Sequence, residues 1–288
     1  MQANQILEAI TNDVIKALET GTAPWVKPWD NAAFGAPYNP VSGTRYKGIN
    51  FLYLTLMQDW KGGANSWLTY KQAQQLGGQV RKGSKGVHIV YYKPLLVRDK
   101  VTGEETKIPM LKSYVVFNSN DVDGVSFERP QLTEIERLAQ CERFIQDTKA
   151  QIKFGGDSAC YIPMLDIINM PQAESFKSTA DYYATMFHEL GHWTGHASRL
   201  DRFKSGFAEE VSGARAEYAF EELVAELSSA MLCSEYQVEG QLQHASYIAS
   251  WLKALRNDKK FIFKAAAQAQ KVFDYFSQVT ESDEEIAE

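Results

Sequence analysis

Apolar residues four apart, Ile6, Ile10, Val14 and Leu18, mark residues 5–20 as an amphipathic helix that Gly21 ends. Helical spacing recurs over about 50–60, in a short helix opened by Trp67-Leu68-Thr69-Tyr70-Lys71-Gln72, and over 133–149, with Ile135, Leu138, Phe144 and Ile145 on one face. It recurs again from Ser178 to Gly195 and over about 208–233, 241–256 and 260–278. Ser178 and Asp181 form an [ST]-x-x-[DE] box that opens the first of these. Strand signals are fewer. Val87 to Tyr92 and Leu111 to Phe117 read as strands joined through a hairpin near Thr102-Gly103. Ala159–Pro163 and Asp166–Pro171 read as short extended pieces, confined by their prolines to sheet edges or strand ends. Turn residues cluster at Pro24-Trp25-Val26-Lys27-Pro28-Trp29, Asn39-Pro40, Ser42-Gly43 and Arg81-Lys82-Gly83-Ser84-Lys85-Gly86. The polar run from Asn118 to Gly124 and Pro130 place a boundary between a small α/β domain, 1–128, and a second domain, 131–280. An acidic tail, 281–288, is expected to be disordered. The pattern as a whole predicts an α+β protein of two domains.

Charge sharpens that division. The net charge of −6 conceals +4 over residues 1–129 (15 basic, 11 acidic) and −10 over 130–288 (15 basic, 25 acidic). Residues 45–93 carry eight basic side chains against one acid, Asp59. Basic and aromatic residues interleaved in loops and at strand edges suit single-stranded nucleic acid, because cations track phosphates while rings stack on bases. The candidates are Trp25, Trp29, Arg45, Tyr46, Lys47, Trp67, Tyr70, Lys71, Arg81, Lys82 and Lys85. The competing interpretation is ordinary: the aromatics are core and the basic residues a solvated face. No apolar run is long enough to span a membrane. The start Met1-Gln2-Ala3-Asn4-Gln5 lacks the features of a signal peptide, and Cys141, Cys160 and Cys233 are scattered and odd in number, so a cytoplasmic setting is expected.

The stretch richest in chemistry is His188-Glu189-Leu190-Gly191-His192. On a helix, residues four apart share a face, so both imidazoles can meet one metal ion, while Glu189 is placed as a general base. Catalytic zinc takes a third protein ligand. Position 198 is Ser, which excludes the metzincin pattern, and His196 lies too far along the helix to share the ion, although it could line the cleft. The segment Tyr218 to Ser229 offers Glu222 and Glu226 four apart among small residues, and no Lys or Arg occurs from Tyr218 through Leu252. Carboxylates without neighbouring lysines call for a cation. Glu222 is assigned as the third ligand and Glu226 as the acceptor that orients a ligand imidazole, with the reverse assignment left open. The ion is expected to be Zn2+, with Mn2+ or another divalent transition metal as alternatives. The chemistry so assembled is peptide hydrolysis, with an extended substrate added to an edge strand such as Cys160–Asp166.

Two blocks of sequence resemble the ArdC-type antirestriction proteins of conjugative plasmids. The first comprises Pro24-Trp25, Pro28-Trp29, Tyr46-Lys47-Gly48-Ile49-Asn50, Trp67 to Gln72 and Lys82-Gly83-Ser84-Lys85-Gly86. The second comprises Tyr161-Ile162-Pro163, Asp166-Ile167-Ile168, Pro171, His188 to His196 and Glu221 to Leu227. The resemblance implies an N-terminal domain that binds single-stranded DNA, joined to a zincin-like metallopeptidase domain. It also implies protection of incoming plasmid DNA from host restriction, with a restriction subunit as the conceivable protein substrate. The alternative function is a protein that only coats single-stranded DNA, its metal site being structural or inactive. A metal-dependent nuclease fits less well, since such enzymes favour carboxylate-held Mg2+.

Overall fold

The computed structural model describes residues 3–20, 35–58, 65–98, 105–127, 132–203, 214–240 and 245–284. Trp25 and Trp29, Thr102-Gly103, Pro130 and the final residues 285–288 lie outside the described residues. In chain order the elements are α1 (Ala3–Glu19), α2 (Ile49–Gln58), β1 (Trp67–Leu68), α3 (Tyr70–Gln75), β2 (Gln79–Val80), β3 (Val87–Arg98), β4 (Glu105–Asn118) and β5 (Val122–Asp123). They continue with α4 (Glu134–Asp147), β6 (Gln151–Phe154), β7 (Cys160–Ile162), β8 (Ile167–Met170), α5 (Thr179–Trp193), α6 (Ala214–Glu235), α7 (Ala245–Asn257) and α8 (Phe261–Glu284).

Local chemistry sets several of these boundaries. Thr69 with Gln72, and Thr133 with Glu136, form reciprocal capping boxes at the starts of α3 and α4. Ser178 accepts from the Asp181 N–H at 3.1 Å and so starts the helix that bears the H-E-x-x-H motif. The hairpin strands β3 and β4 pair antiparallel from Val87↔Val116 to Arg98↔Glu105, well beyond the apolar runs that predict them. The second domain's sheet has the order β6-β8-β7. Pro163 does leave β7 at an edge, but Ile167–Met170 becomes the central strand, because the unforeseen β6 pairs parallel to it. The acidic tail also differs from expectation: α8 runs on to Glu284, so residues 281–284 are helical.

The two domains share one hydrophobic core. The predicted stripe of α1 is buried (Ile6, Ile10, Val14, Leu18) and packs on α7, while α2 packs on α8. Deeper in, Phe144 of α4 meets Phe187, Tyr236 and Phe276 at ring separations of 5.5, 5.0 and 5.2 Å, so α4, α5, α8 and the end of α6 close around one aromatic cluster. Polar contacts stitch the seam between domains. The buried Thr11 hydroxyl donates to the Lys259 carbonyl at 2.9 Å, and the Gly48 N–H donates to Gln270 Oε1 at 2.7 Å.

The closest helix pairing that bears on function is α5 against α6. A Cβ on Gly191 would come within 2.7 Å of Ser228 Oγ and 3.2 Å of the Ala225 Cα. The glycine inside the motif therefore sets how near the two helices stand. Gly191→Ala is expected to cost about 1–3 kcal/mol in urea denaturation through overpacking. The double change Gly191→Ala with Ser228→Ala should recover part of that loss, because it removes the nearer clash and leaves the backbone one. Equal stability of wild type and Gly191→Ala would show that the helices are not held at this distance.

Candidate metal centre

Helix α5 places His188 and His192 on one face and buries both. Their Nε2 atoms lie 3.1 Å apart. Across the helix contact, Glu222 of α6 brings one carboxylate oxygen to 3.6 Å from His188 Nε2 and the other to 3.4 Å from His192 Nε2. Two ligands held at about 2.0–2.1 Å in a tetrahedral shell stand about 3.3 Å apart, so these three side chains already have the spacing of a metal's ligands. Among the described residues, His188, His192 and Glu222 are the group whose donor atoms meet in this way. Glu226, also buried, sits one turn further along α6 and outside the group, so the reverse assignment is not the arrangement observed.

Glu221 supplies a carboxylate at the site that the sequence does not single out. It faces the outer nitrogen of His192, with Oε1 3.4 Å from Nδ1. The reason is helical geometry: Glu226 continues the stripe of Glu222, whereas Glu221 is turned about 100° round the axis, toward the end of α5. Glu221 is held in turn by Arg202, whose buried guanidinium donates from Nε to Oε2 at 2.9 Å and from Nη2 to Oε1 at 2.6 Å. The same guanidinium donates to the Gly191 carbonyl and to Thr194 Oγ1, each at 2.8 Å, and so also satisfies the C-terminal end of α5.

Charge follows this geometry. Burial opposes a charged His192, yet Glu221 and Glu222 outweigh it and push the imidazole up to about 10. Burial likewise raises Glu222, but His188 and His192 hold it well below the ordinary carboxylate range. Glu221 is also held low, burial being overcome by Arg202 and His192. Tyr218, one turn before Glu222, is raised first by burial and then by hydrogen bonds to Tyr247 and Glu222, so its phenol keeps its proton beside the site. His196 lies past the end of α5 in a turn, where its Nδ1 is 2.8 Å from Ser198 Oγ and accepts from the Ser198 N–H at 3.2 Å; it caps that turn and does not join the ligand group. Sequence reading missed Glu221, Arg202 and Tyr218. The lysine-free acidic helix was a signal that a cation must come from elsewhere, and Arg202 follows the motif closely, but nothing in the sequence pairs them.

The first-domain candidates separate into groups. Trp67 is 0% exposed, with its indole N–H on Asn65 Oδ1 at 2.8 Å, so it is core and offers no face to a base. Tyr46 is half-buried and donates to the Trp67 carbonyl at 3.1 Å. Arg45 pairs with Glu235, and Lys47 with Asp274 at 3.0 Å, which turns both cations toward the second domain. Arg81 is drawn to Asp123 at 3.1 Å and to Asp121 at 4.0 Å. Tyr70, Lys71, Lys82 and Lys85 stand at the surface.

Two family models match the two parts of the chain: the N-terminal domain of anti-restriction factor ArdC over residues 4–117, and a zincin-like metallopeptidase over 139–268. A metal-free crystal structure of the antirestriction protein ArdC of plasmid R388 superimposes with a TM-score of 0.81 at 40% identity, covering 96% of this chain and 98% of that one. The chain belongs to the ArdC antirestriction family. The Mn(II)-bound structure of R388 ArdC matches with a TM-score of 0.77 at 39% identity, over 95% and 97% of the two chains. An uncharacterized Sinorhizobium fredii protein is 39% identical over 94% of this chain and 91% of its own length. Two Escherichia coli DNA primases named TraC are 39% and 40% identical over 93% of this chain, which spans only 19% and 26% of their lengths. The ArdC relationship fits a two-domain α+β fold with an N-terminal ArdC domain and a zincin-like second domain. No helix among the described residues is long and apolar enough to cross a membrane.

Because Arg202 reaches the metal position only through Glu221 and His192, its loss should be felt as lost affinity. Arg202→Leu is expected to weaken Mn2+ or Zn2+ binding about 10- to 100-fold in competition with a chromophoric chelator. Arg202→Lys, which keeps charge without the two-pronged contact, should fall between. Unchanged affinity in a folded Arg202→Leu protein would mean that the buried pair serves α5 alone.

Proposed function

We propose that this ArdC-family protein binds single-stranded DNA through its first domain and hydrolyses a protein substrate at a zinc site in its second, protecting incoming plasmid DNA from restriction during conjugation. The observation that carries the enzymatic part is the convergence of His188, His192 and Glu222 at ligand spacing with Glu189 buried beside them. Two imidazoles and one carboxylate suit a borderline cation such as Zn2+, and Mn2+ is a natural alternative, since R388 ArdC has a Mn(II)-bound structure. Such an ion would supply Lewis acidity, lowering the pKa of a water and polarising a peptide carbonyl. Glu189 takes a proton from the attacking water and delivers it to the leaving amine nitrogen. The edge strand β7, which packs on α5, is placed to pair with an extended peptide. The turn after it is held to the end of α5 by Arg199, which pairs with Asp166 and stacks 3.8 Å over the Trp193 ring, while the Tyr161 hydroxyl donates to Asp166 at 2.8 Å. A component of the restriction machinery is the substrate that fits an antirestriction role.

The second reading is that the protein protects DNA by coating it and never cuts a protein. Glu189 separates the two, because it belongs to the proton path and not to the ligand set. Glu189→Gln should retain one equivalent of metal, lose proteolysis of restriction subunits as followed by mass spectrometry, and lose antirestriction in recipient cells. Full antirestriction by a metal-loaded Glu189→Gln protein would remove proteolysis from the mechanism. Wild-type protein with under about a tenth of an equivalent of metal would remove the site itself.

A further inference from the structure

We propose that the β3–β4 hairpin carries the stacking surface for single-stranded DNA, with Tyr91 and Tyr114 as base platforms and Lys112 as the phosphate contact between them. The inference rests on the nucleic-acid reading of the first domain and assigns it to residues outside the loops that the sequence points to.

The register decides which side chains stand together. Val87 pairs with Val116, Ile89 with Tyr114 and Tyr91 with Lys112, and residues directly opposite across an antiparallel pair share a face. One face of the hairpin therefore reads Val87, Val116, Ile89, Tyr114, Tyr91, Lys112. At its base Val87 and Val116 are buried in the core. Further out the same face emerges into solvent, with Tyr114 49% and Tyr91 57% exposed and Lys112 exposed beside them. Tyr91 is directly opposite Lys112 and diagonal to Tyr114, so a cation stands next to two ring faces on a rigid ladder.

Charge identifies the occupant. Lys82 and Lys85 are exposed on the turn that leads into β3, and Gly86 packs that turn against Val115 and Phe117 of β4. Tyr70, 43% exposed with Lys71 beside it, stands edge-on to Phe117 at 6.4 Å; Val115 and Phe117 alternate with Tyr114 along β4, so these basic groups flank the hairpin from its other face. The nearby acids Asp121 and Asp123 are both drawn to Arg81. A hairpin with exposed rings and a lysine on one face and further lysines flanking the other, with Asp121 and Asp123 engaged by Arg81, complements a polyanion whose base faces are open, which means a single strand rather than a duplex. Three other candidates among the described residues are engaged elsewhere: Trp67 is core, and Arg45 and Lys47 pair with the second domain.

The test measures binding of the full-length protein to fluorescein-labelled oligothymidylate by anisotropy across a salt series. Tyr91→Ala and Tyr114→Ala should each weaken binding about 5- to 100-fold at fixed salt, and Tyr91→Phe, which keeps the ring, should stay near wild type. Lys112→Ala should reduce the slope of log K against log salt by about 0.7, the value of one lost single-strand contact. Arg45→Ala should leave both affinity and slope unchanged. The substituted hairpin side chains are exposed, so far-UV circular dichroism should match wild type. If wild type binds no oligonucleotide, the nucleic-acid reading falls and the hairpin assignment with it. If wild type binds and the Tyr91→Ala/Tyr114→Ala protein binds equally at every salt concentration, only the hairpin assignment is overturned. Loss of antirestriction in that double variant with DNA binding intact would likewise overturn it and make the face a protein-docking surface.

Discussion

Charge buried in a protein interior has to be answered, and the whole second domain is arranged around one such answer. His188, His192, Glu221, Glu222 and Arg202 all have buried side chains. Isolated in a low-dielectric interior, any one of them would neutralise itself or destabilise the fold. Here they form a chain of opposite charges: Arg202 against Glu221, Glu221 against His192, and His192 with His188 against Glu222. One end of the chain is closed by a two-pronged guanidinium contact, which cannot lose its charge at any accessible pH. The other end is open at the point where the two Nε2 atoms and Glu222 face one another. A divalent cation belongs at that point, where it would take the place of the imidazole proton as the positive charge facing Glu222 and use the Nε2 lone pairs so freed.

This arrangement explains why α5 and α6 must approach so closely. A long contact between ordinary helices would leave Glu222 short of the imidazoles of α5. Gly191 and the small residues Ala225 and Ser228 remove the side chains that would otherwise keep the backbones apart. The glycine within H-E-L-G-H is thus part of the metal site without touching a ligand. Trp251 adds a brace from outside, its indole N–H donating to the Ala219 carbonyl at 2.8 Å and fixing α6 from the side of α7.

Much of this was legible in the chain, and what was not has physical causes. The helices over 5–20, 50–60 and 133–149 follow from apolar spacing because each buries one face against a core. Glu222 could be chosen because an acidic stripe without lysines has to find a cation somewhere, a demand that sequence alone expresses. Glu221 could not, because its partner Arg202 is 19 residues away and reaches it only once α5 and α6 are docked. Strand β6 is four residues with three exposed side chains, so no burial pattern marks it; pairing with β8 creates it. The aromatic rule misled at Trp67, since a basic neighbourhood says nothing about which way a ring points. Tyr91 and Tyr114 were hidden for the opposite reason: in an apolar strand run a tyrosine looks like core, and only the hairpin's extension past the core shows otherwise.

The seam between domains governs how far the two domains can influence each other. Helix α6 carries Glu221 and Glu222 near its start and ends at Glu235, which pairs with Arg45 of the first domain. Thirteen residues at about 1.5 Å each place the ligand and the seam about 20 Å apart on one rigid rod. Between them lies continuous core, with Phe144 touching α5, α8 and the residue just beyond α6. A ligand on the first domain can shift the metal site only by differential contact with two arrangements of this seam. The exposed pairs Arg45–Glu235 and Lys47–Asp274 are the inexpensive part to rearrange, each worth at most about 1 kcal/mol in water. The packing of α1 on α7 and of α2 on α8 is the costly part, since it buries whole apolar faces. Coupling between DNA and the metal centre would therefore act through small shifts along α6, not through separation of the domains.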